Sequence, residues 1–96
     1  MNITEYTVEK IVDPTGLLVG NRYEFRLSID VDEEDELYEE SGVGVRAIFA
    51  VEDGKEQLLQ ANFFKRATDE VINFEVEEEE HELIEQFCRA HYADAF

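Results

Sequence analysis

The chain has no tryptophan, one cysteine, one proline and only eight lysines and arginines among its 96 residues. Each shortage excludes something. Carbohydrate-binding faces are built on exposed rings, tryptophan above all, and the aromatic residues here sit at strand and helix spacings that point inward: Tyr23, Phe25, Phe49, Phe74 and Phe87. A lone cysteine, Cys88, makes no internal disulfide, which fits a reducing compartment. It also leaves a tetrahedral zinc site short of ligands. No apolar run approaches the roughly 18 residues that cross a bilayer, and Met1 to Glu5 lacks the basic start and apolar stretch of a secretory leader. A soluble, cytoplasmic protein is expected.

The scarcity of cations matters most because there are 25 acids, giving a net charge of −17. Phosphate backbones and anionic membranes are bound by lysine and arginine displacing counterions, so direct contact with nucleic acid or membrane is not expected. The acids are unevenly placed. Residues 30–42 hold eight and residues 75–85 hold seven, while all the cations lie elsewhere. Hydrophobic residues still make up 44% of the chain, seven Phe and four Tyr among them, enough for the core of one domain spanning 1–96.

Periodicity gives the fold. Strands are expected at about 3–12, 22–31, 43–52, 56–66 and 70–76, the clearest being the alternation of Tyr23, Phe25, Leu27, Ile29 and Val31 with polar neighbours. Asp53-Gly54 is a type I′ hairpin signal, and a second hairpin is expected across Ala67-Thr68-Asp69. An acidic connection fills 32–42. From about residue 77 to 92 the apolar spacing changes to that of a helix, with Leu83, Ile84, Phe87, Cys88, His91 and Tyr92 recurring at one, three and four, and Glu77 to Glu80 favouring its positive amino end. The fold class is therefore α+β, a curved antiparallel sheet of about five strands with one carboxy-terminal amphipathic helix packed on one face. The strand at 43–52 is apolar on both faces, with Ile48 and Ala50 opposite Val43, Val45, Phe49 and Val51, so the sheet either curls or meets another subunit, a homodimer through the sheet face included.

Three patterns invite a chemical reading. Asp30, Asp32 and Glu34 take the first, third and fifth places of an EF-hand loop, but Asp35 stands where glycine must turn the chain and Ser41 where a bidentate glutamate closes it; they are weak metal candidates. Residues 42–47 spell the glycine pattern of a dinucleotide loop, yet a strand rather than a helix follows. Cys88 and His91 lie three apart on the helix with His81 about 10 Å away along its axis, and their simpler roles are core hydrophobe and helix-end cation. No complete catalytic constellation and no cofactor site is legible. The acidic connection reads instead as a solvated loop pinned by Leu37 and Tyr38. Asp35, Glu36, Leu37 and Tyr38, with Glu78 and Glu79 at the helix start, are the candidate residues for a protein partner, basic partners in particular.

At Asp13-Pro14-Thr15-Gly16, Gly20-Asn21-Arg22-Tyr23-Glu24-Phe25 and Asp35-Glu36-Leu37-Tyr38 the chain resembles a family of short acidic proteins of unknown function from spore-forming Gram-positive bacteria, and the likeness runs over nearly its whole length. The resemblance implies a bacterial cytoplasmic origin and adds no active site. Some members carry a pullulanase label, although 96 residues fall far short of the roughly 250 of a (β/α)₈ barrel. The expectation is an interaction or regulatory protein without catalytic activity. A small hydrolase is the alternative, and a mimic of nucleic-acid charge that occupies a basic protein is the third reading.

Overall fold

The computed structural model describes residues 1–17 and 20–95. Five strands, β1 (Asn2–Ile11), β2 (Asn21–Asp30), β3 (Val43–Glu52), β4 (Lys55–Lys65) and β5 (Val71–Ile72), form one open antiparallel sheet in sequence order. The helix α1 (Glu78–His91) follows, ending in a 3₁₀ turn over Tyr92–Asp94. This is the α+β arrangement that the change of period near residue 77 predicts. No helix among the described residues is long and apolar enough to cross a membrane.

The alternating faces sort the sheet cleanly. Phe25, Leu27 and Ile29 of β2, Val43, Val45, Ala47 and Phe49 of β3, and Leu58 and Phe63 of β4 are buried against Ile84 and Cys88 of α1. Between β3 and β4 the turn closes with Asp53 at φ 48° and Gly54 at φ 77°, both positive as a type I′ hairpin requires. Further along this hairpin Phe49 pairs with Leu58 and Ile48 with Gln60, so Leu59 is an extra residue, 44% exposed. On the face away from the helix the ring of Phe64 lies over Gly44, and the guanidinium of Arg26 caps that ring at 4.8 Å. A Cβ at Gly44 would stand 2.6 Å from Phe64 Cε1 and 2.9 Å from the Leu27 carbonyl oxygen. This glycine therefore makes room for an aromatic ring.

The helix is fixed at both ends and along one strand edge. At its start Glu77 and Glu80 form a reciprocal capping box, the Glu77 N–H donating to Glu80 Oε1 at 3.1 Å. Midway, the Leu58 N–H on β4 donates to Glu85 Oε2 at 3.0 Å, and Arg89 donates to the Glu56 carbonyl at 3.3 Å, satisfying main-chain groups beyond the short β5. At its end Tyr6 of β1 donates to Asp94 Oδ2 at 2.6 Å with His91 Nδ1 at 3.2 Å, while Tyr92 packs on Tyr23 and Phe49.

One expectation needs correction. The last strand is two residues rather than the 70–76 read from "EVINFEV", because the chain turns at Ile72, whose carbonyl accepts from the Phe74 N–H at 2.9 Å. Phe74 consequently leaves the inward face assigned to it and is 43% exposed.

Candidate functional site

The acidic connection is built from turns that its own aspartates stabilise. Asp32 Oδ1 accepts the Glu34 N–H at 3.1 Å and Asp35 Oδ1 accepts the Leu37 N–H at 2.9 Å. Main-chain bonds from Asp35 to Asp32, Tyr38 to Asp35 and Gly42 to Glu39 close three successive turns. Leu37 packs against the core whereas Tyr38 is 37% exposed, so one apolar residue carries the anchoring assigned to two. Lys65 holds the far end by bridging Glu39 and Glu70, each at 3.5 Å; Glu39 first and then Glu70 raise its pKa above the ordinary lysine value. Asp30, Asp32 and Glu34 are exposed. Among the described residues no three histidine, cysteine, aspartate or glutamate side chains converge to hold a metal ion.

Folding brings the two acidic runs together. A groove of about 420 Å³ opens between the connection and the start of the helix. Its apolar lining is Leu37, buried Phe63 and Phe74. Five acidic residues line it as well, Asp35 and Glu36 from the first run and Glu75, Glu77 and Glu80 from the second, and among the described residues no cation does. Three of the six candidate partner residues, Asp35, Glu36 and Leu37, lie here. Tyr38 faces a different hollow beside Thr4 and Arg66, and Glu78 and Glu79 are exposed on the first helical turn outside the groove. Sequence reasoning missed Phe63, Phe74, Glu75, Glu77 and Glu80. The pairing of Glu77 with Glu80 was available from helical spacing; the place of Phe74 depended on where β5 stops.

The groups with shifted protonation lie elsewhere. Cys88 is fully buried and burial, with the Glu85 carboxylate nearby, pushes its thiol up to about 12. Such a thiol is a poor nucleophile at neutral pH. In the Tyr6, His91 and Asp94 cluster, the hydrogen bond to Asp94 raises the Tyr6 pKa, and the same bond, with one from His91, lowers that of Asp94. The cluster stabilises a neutral phenol and a carboxylate, and so ties β1 to the end of the helix.

No curated protein and no solved structure matches this chain. A family model matches residues 1–95, and the chain thus belongs to DUF6509, a family of unknown function.

Proposed function

We propose that this protein is a non-catalytic binding module that takes a basic segment of another protein into the groove between the acidic connection and the helix start. The observation that carries the reading is one groove lined by five acidic residues together with Leu37, Phe63 and Phe74, and by no cation among the described residues. The occupant that fits is a lysine- or arginine-rich stretch presenting one bulky apolar side chain. Its charges would steer the approach, and burial of the half-exposed Phe74 ring would slow its departure. The bacterial, cytoplasmic setting implied by the sequence resemblance belongs to the same proposal.

Titration calorimetry with two synthetic peptides of equal positive charge tests it, one carrying leucine or phenylalanine between its basic residues and one carrying only serine. The apolar peptide should bind more tightly, and Phe74→Ala should remove that advantage, with a loss of about tenfold or more. Glu75→Gln should instead reduce the salt dependence. Equal affinity for both peptides, unchanged in Phe74→Ala, would support pure charge mimicry and sink the groove reading.

A further inference from the structure

The acids crowd the helix side, and the opposite sheet face is differently made. Cross-strand pairing places Arg22, Glu24 and Arg26 of β2 beside Ala50, Ile48 and Arg46 of β3 on that face. Glu5 and Glu9 of β1 flank them, and Glu52 and Lys55 close the hairpin end. With Asp69, which pairs with Arg26, and Arg66, which lines the same hollow, five cations stand against five carboxylates, and the face is close to neutral on a molecule of net charge −17. At its centre Ile48 and Ala50 are only half covered, Leu59 is 44% exposed, and no other element of the described chain packs there.

We propose that this face is the seat of a second copy of the chain, joined face to face about a two-fold axis near Ile48. A neutral face gives a strongly basic or strongly acidic partner no net attraction. A second copy brings the same mixture of arginine and glutamate, which a two-fold axis can set in opposition, and points its acidic side away. The size suffices: the four long strands, each about ten residues at ~3.4 Å rise and ~4.8 Å wide, project roughly 650 Å², near the ~800 Å² per partner of a stable interface. Arg26 and Arg46 lie directly opposite each other, an arrangement unfavourable in isolation. Each is matched within the chain, Arg26 by Asp69 and Arg46 by Glu24, so the guanidinium groups are held in place for a partner's carboxylates. The inference is independent of the groove, which lies on the opposite side of the sheet.

Sedimentation of the full chain from micromolar to millimolar concentration tests it. A dimer is expected, tightened by NaCl because salt screens the repulsion between two acidic bodies. Ile48→Glu should weaken it by about 100-fold or more, and Arg46→Glu similarly. The double variant Arg46→Glu with Glu24→Arg, which restores neutrality, should recover most of the loss. Glu79→Lys on the helix side should leave the dimer intact. Circular dichroism confirms that each variant folds, and if Ile48→Glu does not, the exposed Arg46 variant decides. A monomer at every concentration and salt would overturn the proposal. So would a dimer that persists in both face variants and yields only to Thr7→Pro, since that would locate the contact at the β1 edge.

Discussion

Individual side chains show how closely the two faces are fitted. Gly44→Ala should cost about 1–3 kcal/mol, because the new methyl must displace Phe64 against the Leu27 carbonyl oxygen. Denaturant unfolding would measure this as a lower midpoint at unchanged slope. The double variant Gly44→Ala with Phe64→Leu should regain part of the loss. Tyr6→Phe tests the cluster at the helix end. Asp94 is held below its ordinary pKa by Tyr6, so its contribution is present above about pH 3.9 and is lost as pH falls through the lower folded value. Tyr6 is raised, so its contribution is complete below about pH 10 and is lost as pH rises through the folded value. The stability difference between wild type and Tyr6→Phe should therefore be widest at intermediate pH and shrink at both extremes. A difference independent of pH would mean that the hydroxyl contributes nothing through these groups. None of this was legible in the sequence: Tyr6 and His91 are 85 positions apart, and only the docked helix makes them neighbours.

At the scale of elements, local chemistry had most to say where a segment depends on its own residues. Asp53-Gly54 specified its turn, the alternation from Tyr23 to Val31 specified β2, and the apolar spacing specified the helix and, from Ile84 to Tyr92, its inner side, although Leu83 from the same pattern is 38% exposed. The end of β5 was not specified, since Phe74 continues an alternating pattern that the backbone abandons at Ile72. The groove was half legible for the same reason. Its acids stood out in the sequence, but Leu37, Phe63 and Phe74 come to line one groove with them only once the two runs meet. The acidic connection offers a test of what its carboxylates do. Their aspartates already cap main-chain N–H groups. We therefore expect Asp35→Ala to lower stability by about 0.5–1.5 kcal/mol, more than Glu36→Ala, whose carboxylate accepts no main-chain hydrogen bond among the described residues. Equal effects of the two variants would remove the turn-forming role given to Asp35.

The whole molecule is dominated by charge that folding concentrates. Fifteen of the 25 acids lie in the two runs, and the groove brings those runs together, so folding brings like charges close. Screening over about 10 Å at 0.1 M should relieve this repulsion, and thermal stability should rise with NaCl. Calcium at matched ionic strength should add nothing further. A large stabilisation by micromolar calcium beyond the NaCl effect would make Asp30, Asp32 and Glu34 the first residues to mutate.

The strand order carries a kinetic consequence. Every strand pairs with its neighbour in sequence, and β3 and β4 meet across a two-residue turn, so the chain can gain much of its sheet by closing short loops. The β3–β4 hairpin is the natural nucleus, with the helix docking afterwards onto a face already formed. Gly54→Ala probes this cleanly, since nothing lies within 4 Å of the added methyl and the penalty is that of a positive φ alone. It should cost about 1 kcal/mol. If the hairpin forms first, stopped-flow measurements should find that loss almost wholly as slower refolding, whereas Ile84→Val in the helix should act on the unfolding rate.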